Sequence, residues 1–272
     1  MNKKAEIPLP SNPEDAISQF EAFVEIVKIL RRDCPWDSTQ TNRSIAHLMI
    51  EEVYEAIDAI YENDDAEFSK ELGDILLHIV LHAVIAEERK AFDLKDVVKK
   101  ISAKMIHRHP HVFGDTSVDG VEQVMQNWEA LKLKESGSGE RKSVLDGVPN
   151  NLPALLRAER IQHKASRVGF DWDNPDDVWA KVFEEITEFR HELKSGDNEK
   201  AEQEFGDLLF ALVNAARFEG IVAEQALHLT NNKFTKRFYY IEKIAIERGL
   251  DLNDMTLEEM DEIWNAAKNF DK

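Results

Sequence analysis

Apolar residues recur along this chain at helical intervals. Ile45, Leu48, Met49, Val53, Ala56, Ile57 and Ile60 fall mostly three or four apart, and Leu72, Ile75, Leu76, Ile79, Ala83 and Val84 do the same. Such spacing lines one face of an α-helix with side chains that must find a partner surface. The polar stretch YENDD at 61–65 separates the two runs and reads as a turn. A second pair of runs follows: Val178, Val182, Phe183, Ile186 and Phe189, then Phe205, Leu208, Leu209, Leu212 and Val213, split by KSGDN at 194–198. No segment sustains the alternation of a strand. The pattern predicts an all-α chain with two helical hairpins, each followed by one or two further helices.

The polar positions repeat with the apolar ones. Glu51, Glu52, Glu55, Glu71 and Asp74 are matched by Glu184, Glu185, Glu188, Glu204 and Asp207, always 133 residues on. EEVYE at 51–55 parallels EEITE at 184–188, and ELGDILL at 71–77 parallels EFGDLLF at 204–210. Acids are common here, so one match would mean little; five at a constant offset, with Gly73 and Gly206 in register, mark a duplication. Other features repeat with small slips: Trp36-Asp37 with Trp172-Asp173, Lys104 and Arg108 with Lys233 and Arg237, Trp128 and Lys132 with Trp264 and Lys268. The segment KESGSGERKS, 134–143, is small and charged, as flexible linkers are. We therefore expect an N-terminal unit over 14–133, a linker over 134–150 and a C-terminal unit over 151–272.

Composition agrees. The 272 residues suffice for two domains, and 43% hydrophobic content suffices for packed cores. A net charge of −19 argues against nucleic acid as a partner, because binding a phosphate backbone relies on lysine and arginine releasing counterions. Cys34 is the only cysteine, which excludes an intrachain disulfide. Residues 1–15 are polar, and no run of about 18 apolar residues occurs, so no membrane span is expected. A cytoplasmic location is the default expectation.

The repeated acids carry the candidate chemistry. Glu185 and Glu188 lie three apart on one helix, Glu204 and Asp207 three apart on the next, and antiparallel packing lets the pairs converge. Two carboxylates about 5 Å apart repel by roughly 3 kcal/mol at an effective dielectric of 20. Four together call for a cation. An all-oxygen donor set suits Mg²⁺, with Mn²⁺ as a substitute, and Mg²⁺ commonly completes its shell from substrate phosphates. Glu52, Glu55, Glu71 and Asp74 form a second candidate site. A solvated acidic face is the ordinary reading of a single Glu-x-x-Glu, but not of the duplicated set. A ferritin-like di-iron site needs Glu-x-x-His on two helices, whereas both copies have Glu-x-x-Asp. His107, His109 and His111 flank Pro110, which points to a helix end rather than a zinc site. Arg157, Arg160 and Lys164 form a basic stripe that either faces substrate or pairs with acids. Cys34 reads as a small hydrophobe.

The EExxE…ExxD pattern, with CPWDSTQT (34–41), RHPHVFGD (108–115), VGFDW (168–172) and NKFTKRF (232–238), resembles the MazG family of all-α nucleoside triphosphate pyrophosphohydrolases in its tandem, bacterial form. The resemblance spans nearly the whole chain. It implies Mg²⁺-dependent hydrolysis of ribo- and deoxynucleoside triphosphates, with broad base tolerance, to monophosphate and pyrophosphate, by a homodimer. It makes Glu185, Glu188, Glu204 and Asp207 the metal ligands and Lys181, Lys200, Lys233, Arg237 and Trp264 the nucleotide contacts. Glu184 is the candidate base for water attack on the α-phosphorus, beside Glu185 and Glu188. The family's C-terminal unit is the catalytic one. One departure favours the same assignment here: Lys181, one turn before Glu185, has Leu48 as its counterpart before Glu52. The competing expectation is a non-catalytic regulator that binds a nucleotide or a protein partner.

Overall fold

The computed structural model describes residues 5–120, 123, 124, 127, 128, 131 and 143–268. Among these no strand occurs, and the chain divides into two compact units, Met1–Ser136 and Gly137–Lys272. Most of the predicted linker, 134–142, and Lys132 lie outside the described residues.

In the first unit, α1 (Ala16–Asp33) precedes the hairpin α2 (Leu48–Glu62) and α3 (Asp65–Glu88), and α4 (Leu94–Arg108) and the short α5 (Pro110–Phe113) follow. The second unit repeats the plan with α6 (Ala154–Ser166), the hairpin α7 (Pro175–Ser195) and α8 (Asn198–Phe218), then α9 (Ala223–Arg248) and α10 (Leu257–Ala267). Both hairpins turn by the same two-residue device. Asn63 (φ 56°) and Gly196 (φ 79°) take the left-handed conformation that ends a helix. The next residues, Asp64 and Asp197, accept backbone N–H groups of the following helix as N-caps. These positions are again 133 apart, so the duplication extends to the turn chemistry.

The helix before each hairpin completes the core. In the first unit Val27 of α1 packs with Ile45, Val80, Leu81, Val84 and Ile85, backed by Phe20, Phe23, Leu48 and Leu77. Ile45 reads as helical in the sequence; it lies in the turn before α2, yet is buried. Arg31 grips Glu88 through two parallel bonds, Nε to Oε1 at 2.8 Å and Nη2 to Oε2 at 2.9 Å, tying the end of α1 to the end of α3. The second unit has a sparser buried cluster of Val178, Val182, Ala211 and Ala215. Among the described residues no helix is long and apolar enough to cross a membrane.

Candidate functional site

The α7–α8 hairpin brings three of the four predicted ligands together. One oxygen from each of Glu185, Glu188 and Glu204 lies within 4.8 Å of the others. Asp207 stands one turn beyond Glu204. Burial, then the charges of Glu188, Asp207 and Glu185, push the Glu204 carboxyl above its usual range. The first unit makes the same cluster from Glu52, Glu55 and Glu71. There burial, then Asp74, Glu55 and Glu71, push the Glu52 carboxyl up. Convergent carboxylates, one of them in each cluster pushed up by burial and its neighbours, form a donor set that a hard divalent cation fits.

The two clusters hold their lysines differently. Lys181 Nζ lies 2.7 Å from Glu185 Oε1 and 2.8 Å from Glu184 Oε1. Glu185 is buried, whereas Glu184 and Glu188 are exposed. In the first unit Leu48 occupies the position of Lys181, and the cation comes instead from Lys70, 2.8 Å from Glu71 Oε1 and 2.6 Å from Glu67 Oε1. Lys70 holds the Glu71 carboxyl below its usual range. The sequence reading missed Lys70, whose counterpart is Gln203.

A cavity of about 580 Å³ opens beside the second cluster, within the range of small-molecule sites. Lys181, Glu185 and Asp207 border it, and its walls include Phe170, Trp172, Val178 and Ala211. Val144 and Leu145, from the end of the predicted linker, also line it. Lys164 fixes that segment by donating to the carbonyl of Asp146 at 2.8 Å, so this member of the basic stripe serves the wall. Arg217 donates Nε to Asn214 Oδ1 at 2.9 Å and Nη1 to Asp171 Oδ2 at 3.0 Å, pinning the loop that carries Phe170 and Trp172 onto α8.

The cavity depends on substitutions between the copies. At the 133-residue offset, Lys181, Ala211, Asn214 and Arg217 correspond to Leu48, His78, Leu81 and Val84. In the first unit Leu48, Leu81 and Val84 belong to the packed core, and His78 is buried beside them. The signal lies in three apolar-to-polar exchanges within the repeat and one loss of a ring at Ala211, but it names a cavity only once α6 and the preceding loop are in place.

The other predicted contacts lie apart from the cavity lining. Lys200, on the first turn of α8, donates its backbone N–H to Asp197 and places Nζ 3.4 Å from that carboxylate. Lys233 is exposed on α9. The Arg237 guanidinium lies 5.2 Å from the Trp264 ring centroid, and Phe234 packs on the same tryptophan at 5.0 Å. His109 bonds through Nδ1 to the Met105 carbonyl at 2.6 Å, within the helix end that Pro110 enforces.

A family profile described as the MazG nucleotide pyrophosphohydrolase domain matches residues 40–113 and 174–240, one segment per unit. The chain is 42% identical over 257 residues to the nucleoside triphosphate pyrophosphohydrolase of Escherichia coli K12, covering 93% of this chain and 98% of that protein. It is 43% identical over 256 residues to the nucleoside triphosphate pyrophosphohydrolase/pyrophosphatase MazG of Thermotoga maritima, covering 93% and 97%. A crystal structure of a mazG-related protein from Thermotoga maritima superposes with a TM-score of 0.38 at 27% identity, over 42% of this chain and 98% of that one.

Proposed function

The chain belongs to the MazG nucleotide pyrophosphohydrolase family, and from that premise we propose that its C-terminal unit hydrolyses nucleoside triphosphates to monophosphate and pyrophosphate. The observation that carries the choice of unit is the cavity beside Glu185 and Asp207, bordered by Lys181. The corresponding positions of the first unit are packed with leucine, valine and histidine side chains.

Glu185, Glu188, Glu204 and Asp207 would hold Mg²⁺, or Mn²⁺ in its place. When bound, the ion offsets triphosphate charge and makes water a better nucleophile. Lys181 supplies a cation at the same carboxylates and turns it to the phosphates. Glu184, hydrogen-bonded to Lys181 at the solvent edge, accepts the proton of the attacking water. The water oxygen bonds to the α-phosphorus, the bond from the α-phosphorus to the bridging oxygen breaks, and pyrophosphate leaves. The walls at Phe170 and Trp172 take the nucleoside by apolar contact, which tolerates different bases. Lys200, Lys233, Arg237 and Trp264 remain proposed contacts for the rest of the nucleotide.

We also propose a homodimer, located in the cytoplasm. Each hairpin exposes apolar residues at equivalent positions: Ile50 and Phe183, Leu72 and Phe205, Leu76 and Leu209. A repeated apolar stripe of this kind suits burial against a second copy.

The test incubates the protein with mixed nucleoside triphosphates and Mg²⁺ and identifies the phosphate released. Pyrophosphate, lost in Glu185→Ala and kept in Glu52→Ala, is expected. Turnover of Glu185→Ala at the wild-type rate would overturn the C-terminal assignment, and absence of any release would favour the non-catalytic regulator.

A further inference from the structure

Two side chains of the cavity wall each carry a polar atom left unsatisfied. Gln162 on α6 is 7% exposed and Asn214 on α8 is 4% exposed, and both line the cavity. Gln162 donates Nε2 to the carbonyl of Phe210 at 2.8 Å, and Asn214 accepts from Arg217 Nε on Oδ1 at 2.9 Å. Gln162 Oε1 and Asn214 Nδ2 are buried and have no hydrogen-bond partner among the described residues.

The bonds already made fix which way each amide faces. A carbonyl only accepts and a guanidinium only donates, so the nitrogen of Gln162 and the oxygen of Asn214 are the atoms in use. One acceptor and one donor are left over. Buried amide atoms without partners are costly and rare in folded chains. In the wall of a mostly apolar pocket, a few such groups are what orient a ligand.

On the reading of this cavity as the nucleoside pocket, we propose that Gln162 and Asn214 recognise the hydrogen-bonding edge of the base. Asn214 Nδ2 donates to a ring nitrogen or a carbonyl oxygen, and Gln162 Oε1 accepts from an amino group or a ring N–H. Every standard base carries such an acceptor beside such a donor, so the pair accommodates several bases and selects against one whose edge lacks either. Apolar walls grip the faces of a ring while amides read its edge, the division of labour by which proteins hold an unpaired base. The first unit has Leu81 in place of Asn214, packed into its core, and so offers no donor there.

Calorimetric titration of the full chain in Mg²⁺ compares α,β-methylene-dATP with its purine counterpart, which lacks only the amino group of the base. Neither compound can release pyrophosphate, so binding is read apart from turnover. The amino compound should bind the wild type about tenfold more tightly, as a hydrogen bond to a buried, otherwise unpaired acceptor implies. Gln162→Met should bring the two affinities within about twofold of each other, a change of ratio that a merely structural role would not produce. Asn214→Asp keeps an oxygen for Arg217 and turns the free donor into an acceptor. It should shift preference about tenfold from α,β-methylene-dATP towards α,β-methylene-dGTP, because guanine presents two adjacent N–H donors. The added charge alone would weaken both compounds alike. Equal binding of the amino and purine compounds to the wild type, or a ratio unchanged in Gln162→Met, overturns the proposal. If Gln162→Met fails to fold, an adenine-to-guanine ratio unchanged in Asn214→Asp overturns it. Binding of no compound overturns the nucleoside pocket itself, whereas equal binding leaves that pocket standing without its edge readers.

Discussion

Lys181 and Glu185 form the closest ion pair of the second cluster, Nζ to Oε1 at 2.7 Å, one helical turn apart on α7. The lysine is 37% exposed but Glu185 only 7%, so the pair is half-buried and its loss leaves a buried carboxylate without its cation. Its value lies in bringing a cation to the place where phosphates meet carboxylates. Lys181→Leu, which copies Leu48, should lower urea stability by roughly 1–2 kcal/mol and raise KM for a nucleoside triphosphate by about tenfold or more, as loss of a charge-assisted phosphate contact implies. Steady-state kinetics beside a denaturation curve separates the two effects.

Filling the cavity tests its role without touching a charged group. Ala211 lines it and is nearly buried. Ala211→Leu should lower kcat/KM by on the order of tenfold or more by occluding substrate, while Tm stays level or rises because apolar volume replaces open space. Unchanged kinetics would show that the nucleotide binds elsewhere.

The raised carboxyl of Glu204 predicts linkage between metal and protons. A cation binds the deprotonated group, so Mg²⁺ added to weakly buffered protein should release protons, increasingly as pH falls towards the raised pKa. The sign for stability is opposite to that of a salt-bridged acid. Without added cation, the shift costs stability above the raised pKa, and the cost disappears as pH falls through that value to below the unfolded one. A pH electrode during titration should record fewer protons for Glu204→Gln than for the wild type.

Arg217 predicts a structural effect. Its guanidinium is nearly buried between Asn214 and Asp171. Asp171→Asn removes the charge opposite it and should cost roughly 2 kcal/mol, below the figure for a fully buried pair because Asp171 remains partly exposed. Urea denaturation measures the loss, and fluorescence of Trp172, in the same loop, should report greater solvent access.

The hairpins and their carboxylates were legible because both depend on spacing within one helix or across one tight turn. The 133-residue offset found Glu52 with Glu185 and Asp74 with Asp207, and the structure extends it to Asn63 with Gly196. The cavity was not legible, because its walls come from α6, the 143–145 segment and the Phe170–Trp172 loop, brought together only by tertiary packing. Lys70 also escaped notice: adjacent residues on a helix point in different directions, and only a long flexible side chain lets it reach back to Glu71.

The contrast between a filled core around Leu81 and Val84 and an open one around Ala211 gives the two halves unequal durability. Apolar burial is the main force opposing unfolding, so the half with the hollow should melt first. A ligand lodged in that hollow would raise only the lower of two calorimetric transitions, by mass action on the half that binds it. Heating would then read out occupancy, with the other half of the same chain as the internal standard.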